Sequence, residues 1–84
     1  MIKLAKLVVK VQDSASGALL SYVHVDVDGL VLTTGLDGVA IFDVPIGSTK
    51  TVKVRQIAYR PYTKSVQITQ DRTPLTVSME KATL

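Results

Sequence analysis

The sequence predicts an all-β domain, a seven-stranded antiparallel Greek-key β-sandwich. Three observations predict it. Short segments alternate apolar and polar residues with the period of two of a half-buried strand, turn signals recur about every 8 to 12 residues, and no stretch carries a helical period. At 84 residues the chain makes one domain, large enough to bury roughly 60 to 65% of its unfolded surface and too small for a deep catalytic cleft.

From Leu7 the alternation sets Leu7, Val9 and Val11 on one face and Val8, Lys10 and Gln12 on the other. Ile2 and Leu4 fall on the opposite parity, which predicts either a bulge near Ala5 and Lys6 or an arm. Residues 1–5 are therefore set apart as an arm or first-strand extension, 6–81 as the sandwich and 82–84 as a tail. Asp13 to Gly17 is a loop.

From Tyr22 to Asp28, the valines Val23, Val25 and Val27 face one way and Tyr22, His24, Asp26 and Asp28 the other. Asp28-Gly29 is a two-residue hairpin turn that pairs Val27 with Leu30 and Val25 with Leu32, so every apolar partner lands on one face. After Gly35 to Gly38, Ala40, Phe42 and Val44 share a buried face, and Pro45 and Gly47 end that strand. Thr51 to Ile57 follows with Val52 and Val54 inward. Tyr59 to Tyr62 forms a corner, Thr63 to Thr69 places Val66 and Ile68 inward, and Gln70 to Pro74 is a polar turn. Leu75 to Met79 is the last strand.

These residues carry a resemblance. The runs Val9-x-Val11-x-Asp13-x-x-x-Gly17, Val23-x-Val25-x-Val27 and Thr33-Thr34-x-x-Asp37-Gly38-x-Ala40-x-Phe42-x-Val44-Pro45-x-Gly47, with Val52, Val54 and Tyr59, resemble the carboxypeptidase regulatory-like domains of transthyretin-like (prealbumin-like) fold. The resemblance spans about residues 7 to 80, with Ala18-Leu19 and Ala58 departing from the family's proline and glycine. It implies an accessory, non-catalytic spacer, stabiliser or interaction surface.

The same fold serves 5-hydroxyisourate hydrolases, which resemble the opening Val-x-Asp-x-x-x-Gly. Those enzymes use several histidines, an arginine and a C-terminal Tyr-Arg-Gly-Ser. This chain has the single histidine His24, read as a solvent-side strand residue, and ends Lys81-Ala82-Thr83-Leu84, which argues against hydrolysis and against any enzyme. Adhesin domains of similar architecture join a first-strand lysine to a last-strand Asn or Asp. Lys6 and Lys10 supply amines, but Leu75 to Met79 supplies no such partner. Asp26, Asp28 and Asp37 precede or flank turn glycines and lack calcium-loop spacing, and the tyrosines Tyr22, Tyr59 and Tyr62 are too few for a sugar platform. No cofactor or metal is implied.

Cysteine and asparagine are both absent, which excludes thiolate chemistry and N-glycosylation and fits selection against heat-labile side chains, as in a thermophile. Lys6 and Lys10 interrupt the apolar N-terminus, so no secretory signal or membrane span is read. A native Met1 implies a cytoplasmic or virion location, and a domain cut from a secreted parent an extracellular one.

Charge patterning is the strongest functional signal. The net charge is +3. Between Val11 and Thr49 lie five aspartates (Asp13, Asp26, Asp28, Asp37, Asp43) and no Lys or Arg, while all ten basic residues lie outside that window with only Asp71 and Glu80. Two functions follow. Copies assemble head to tail through complementary faces, marked by Asp26, Asp28 and Asp37 against the bases, and through open sheet edges. Alternatively Lys50, Lys53, Arg55, Arg60, Lys64 and Arg72 form a basic patch for nucleic acid or another anionic partner. The first is the expectation carried forward: a structural, self-associating protein-interaction module whose assembly is salt-sensitive.

Overall fold

The computed structural model describes residues 3–82. Its elements are β1 (Leu4–Asp13), β2 (His24–Val27), β3 (Leu30–Thr33), β4 (Val39–Pro45), β5 (Thr49–Arg55), β6 (Tyr62–Gln67) and β7 (Arg72–Met79). They form two facing sheets, ordered β4-β1-β7 and β3-β2-β5-β6, and the chain crosses between them after β1, β3, β4 and β6. The all-β sandwich expected from the alternation is the fold.

One pairing departs from the antiparallel expectation. β1 and β7 run parallel, in register from Lys6↔Arg72 to Asp13↔Met79. Local turns cannot reveal this, because the two strands are joined by the rest of the chain rather than by a hairpin. β1 therefore occupies the centre of its sheet, with β4 antiparallel on its other side.

At Leu4 and Ala5 the chain is a first-strand extension, with no bulge and no separate arm. Pairing with β4 runs unbroken from Leu4↔Pro45 to Lys10↔Val39, and the alternation continues with Ala5 buried and Leu4 exposed on the outer face. Met1 and Ile2, the rest of the expected arm, lie outside the described residues.

The β2–β3 hairpin has the predicted register, Val27↔Leu30 and Val25↔Leu32. Asp28 and Gly29 both adopt positive φ, 49° and 94°, as a primed turn requires to match the strand twist. Tyr22 lies outside the strand, with φ 58°. β5 begins at Thr49 and ends at Arg55, which leaves Ile57 91% exposed in the following loop.

The expected polar turn at 70–74 is shorter than predicted, since β7 takes in Arg72, Thr73 and Pro74. The Lys6 N–H donates to the Asp71 carbonyl and the Ser14 N–H to the Met79 carbonyl. In a parallel ladder that phase turns the peptides of Arg72, Pro74, Thr76 and Ser78 toward the open edge. Pro74, having no N–H, costs no ladder bond there.

The core lies between the sheets. Leu7, Val9, Val11, Val23, Val25, Val52, Val54, Val77, Phe42, Ile68 and Met79 are all essentially sealed from solvent. Valine supplies most of it, so the stiff β-branched side chains that favour extended backbone also fill the gap between sheets. Phe42 is the largest buried side chain and the only Phe. Its truncation, Phe42→Ala, is expected to cost about 3 to 5 kcal/mol. Urea unfolding of the two proteins checks this through the shift in midpoint.

Candidate interaction surface

The aspartates singled out by sequence are fastened to backbone, Asp26 and Asp37 within their own turns and Asp28 across to β5. Asp26 Oδ1 accepts from the Gly29 N–H at 2.8 Å, Asp28 Oδ1 from the Thr51 N–H at 3.1 Å, and Asp37 Oδ1 from the Val39 N–H at 3.1 Å. Such carboxylate-to-backbone bonds are the ordinary chemistry of Asp in tight turns. Among the described residues no three acids or histidines converge as metal ligands. Gly38 is required by space as well as by its φ of 73°, because a Cβ there lies 3.0 Å from the Val11 carbonyl oxygen and 3.1 Å from Leu19 Cβ.

The six bases do not come together. Lys53 and Arg55 alternate with buried Val52 and Val54, so they stand on the outer face of the four-stranded sheet, opposite Asp26 and His24 of β2. Lys64 pairs with Val52 and so takes the core-facing parity of the edge strand β6. Lys50 lies at the β2–β3 turn with its Nζ 3.6 Å from Asp28. Arg72 belongs to the other sheet, and Arg60 lies at the opposite end, its N–H on the Glu80 carbonyl. The basic patch expected for an anionic partner is thus split over both sheets and both ends.

Folding also interleaves the segregated charges. Lys6 pairs with Asp43, Lys50 with Asp28 and Lys81 with Asp13, each joining a base from outside the acidic window to an acid within it. Lys3 pairs with Asp71 at 2.9 Å. The pairs exposed on both sides, Lys3–Asp71 and Lys6–Asp43, contribute about 0 to 1 kcal/mol each, but all four neutralise charge locally. The two-faced charge distribution of the sequence is not a two-faced surface. Lys6 and Asp43 are both more than half exposed, and Lys10 lies on the same outer face.

A second polar cluster joins two residues, Asp13 and Tyr59, that the sequence marked separately within the family motif but did not bring together. Asp13, 4% exposed, ends β1. Its Oδ1 accepts from the N–H groups of Ala15 (2.8 Å) and Ser16 (3.1 Å), and its Oδ2 accepts from the Tyr59 hydroxyl at 2.7 Å. Lys81 Nζ approaches to 3.9 Å. These donors, the Tyr59 hydroxyl first, hold the Asp13 carboxyl down at about 2, and the same bond raises the Tyr59 phenol above its usual value. Asp13 thereby ties the first strand to the corner before β6. The Val-x-Asp-x-x-x-Gly spacing was the available signal.

The sheet edges differ in how open they are. β7 carries Pro74 in mid-edge, β6 carries Lys64 on its core-facing side, and β3 is four residues long; short strands, prolines and inward charges all discourage a further strand. β4 has neither an internal proline nor an inward charge. On this side of the sandwich Leu30 of β3 (55%) lies at the mouth of the gap between sheets, while Ile41 of β4 (49%) and Val31 of β3 (51%) are exposed on the outer faces of their own sheets. A crevice of about 200 Å³ opens between those strands, lined by Val27, Leu30, Phe42 and Val44 with Lys50 at its rim. Depressions of about 390 and 590 Å³ flank the His24–Arg55 pair on the outer sheet face.

No family model and no curated protein sequence matches the chain. Solved structures do. A Bacillus anthracis protein described as the TIE protein superposes with a TM-score of 0.73 at 22% identity, over 93% of this chain and 17% of that one. The group B streptococcus pilus 2b backbone protein superposes with a TM-score of 0.74 at 16% identity, over 94% of this chain and 42% of that one. The chain is therefore similar to one segment of each, well under two thirds of their length, and the likeness shows the β-sandwich fold.

Because Asp13 ionises at about 2 in the fold against an ordinary 3.8, the unfolded chain takes up a proton first as pH falls. The stabilisation is complete above about pH 4 and is lost toward about pH 2. A carbon-detected NMR titration is expected to give that low Asp13 midpoint and a higher one in Tyr59→Phe. An unchanged midpoint in the variant removes the Tyr59 hydrogen bond as the cause.

Proposed function

We propose that the chain is a non-catalytic structural or protein-interaction module that self-associates through its sheet edges. The observation that carries the reading is the lateral side of the sandwich, where the unguarded edge strand β4, carrying exposed Ile41, borders a crevice in which Leu30 stays half exposed. Exposed apolar side chains next to open backbone are the usual mark of a protein contact. The motif resemblance to transthyretin-like, carboxypeptidase regulatory-like domains supports an accessory role. So does the likeness to single segments of the TIE protein and of a pilus backbone protein, both much longer chains.

Complementary charged faces carry less weight than the sequence suggested. Asp13, Asp28, Asp43 and Asp71 each have a basic partner within the same chain, and the remaining face mixes Asp26 with Lys53 and Arg55. Assembly then depends on apolar burial and backbone pairing, which salt screens little.

Light scattering behind size exclusion tests this. The mass is expected to be a multiple of 9.1 kDa in both low and high salt, and unchanged when Lys53 and Arg55 are both replaced by Gln. A monomer overturns self-association, and an oligomer that salt dissociates returns the contact to the charged faces.

A further inference from the structure

We infer that two copies of this chain pair through β4 about a two-fold axis at Phe42, joining the three-stranded sheets of both copies into one. The inference rests on the self-association proposed above and names its contact.

The hydrogen-bond phase of β4 carries the argument. At the two ends of the β1–β4 pair, the Val11 N–H donates to the Gly38 carbonyl and the Ile46 N–H to the Lys3 carbonyl. With Leu4 opposite Pro45 and Lys10 opposite Val39, the antiparallel alternation gives Ala40, Phe42 and Val44 to β1 and turns the peptides of Val39, Ile41, Asp43 and Pro45 to the open edge. The outer two are already occupied. The Val39 N–H is held by Asp37 and its carbonyl by the Gly35 N–H at 3.1 Å. Pro45 has no N–H, and its carbonyl accepts from the Ser48 hydroxyl at 2.6 Å.

Ile41 and Asp43 are left, two residues apart, each with a donor and an acceptor that no partner among the described residues takes up. A pair of sites spaced in this way is complementary to itself. When two such strands meet antiparallel at Phe42, Ile41 of each copy stands opposite Asp43 of the other, and each facing pair exchanges its bonds in both directions. The Asp43 charge enters the contact already paired with Lys6 of its own chain.

The crevice selects a second copy over an unrelated strand. Leu30 points into the gap between sheets yet stays half exposed, beside Phe42. An axis at Phe42 brings the crevices of both copies together and lets Leu30 of each cover the other. A contact running only from Ile41 to Asp43 offers a longer foreign strand little else to bond. The same geometry limits growth, since a two-fold contact closes on itself.

Sedimentation equilibrium on wild type, Ile41→Asp and Ser65→Asp tests the contact, with amide exchange of wild type followed against concentration. Ile41 and Ser65 are both exposed on edge strands, β4 and β6. Ile41→Asp sets a second carboxylate opposite Asp43 of the other copy; it is expected to weaken the dimer by about tenfold or more and Ser65→Asp to leave it unchanged, while the Ile41 and Asp43 amides slow as concentration rises. An oligomer that survives Ile41→Asp, or Ile41 and Asp43 amides that exchange alike at every concentration, overturns the β4 contact and leaves self-association standing through another surface. A wild-type monomer at about 1 mM overturns both. The amide measurement needs no substitution, so a variant that fails to fold does not decide the matter.

Discussion

The structure depends on the central place of β1. Its inward residues, Ala5, Leu7, Val9, Val11 and Asp13, form the spine of the three-stranded sheet, and its two neighbours come from the middle and the far end of the chain. Neither neighbour can pair with the other without it. The first strand made thus waits for the last one, and the parallel β1–β7 pair closes a loop of most of the chain. Such non-local pairing slows folding, because loop-closure entropy is lost before the contacts are gained. The opposite sheet is assembled from nearer neighbours, with β2–β3 and β5–β6 as local pairs.

Short polar side chains then fix where the chain turns. Thr34 is buried. Its hydroxyl accepts from the Val23 N–H and donates to the Leu20 carbonyl, both at 2.9 Å, so one residue satisfies two backbone groups that the entry into β2 leaves without strand partners. This is the physical content of the Thr33-Thr34 motif. Asp13, Asp26 and Asp37 do the same for other turns, and Asp28 ties the β2–β3 turn to β5. An aspartate fastened to backbone N–H groups is held in place and has less freedom to meet a ligand, which is why the acidic window of the sequence reads better as turn chemistry than as a binding face.

What the sequence made legible follows the range of the interaction. The Asp28-Gly29 hairpin and its register were readable, because turn type and alternation agree within ten residues. The buried parity of Val23, Val25, Val52, Val54, Ala40, Phe42 and Val44 was readable for the same reason. The parallel partner of β1 was not, since nothing local distinguishes an edge beside β7 from one beside another strand. Pro74 misled: proline signals a turn until one knows that its missing N–H faces an open edge. Leu4 misled in the other direction, since an exposed Leu on an outer face imitates a change of register.

The candidate surface was legible only as composition. Ten bases and five clustered aspartates suggested opposed faces, but strands return. Lys6 meets Asp43 because β4 runs back along β1, and Asp26 meets Lys53 because β5 runs back along β2. In a sandwich of short strands, charge segregated along the chain is mixed by the very reversals that build the sheets. Apolar exposure is not cancelled in this way, because a strand at an edge has no neighbour to cover it. Leu30 on β3 and Ile41 on β4 stay exposed beside that open side, and edge position, a property of topology rather than of any motif, is what the pairing inferred above draws on.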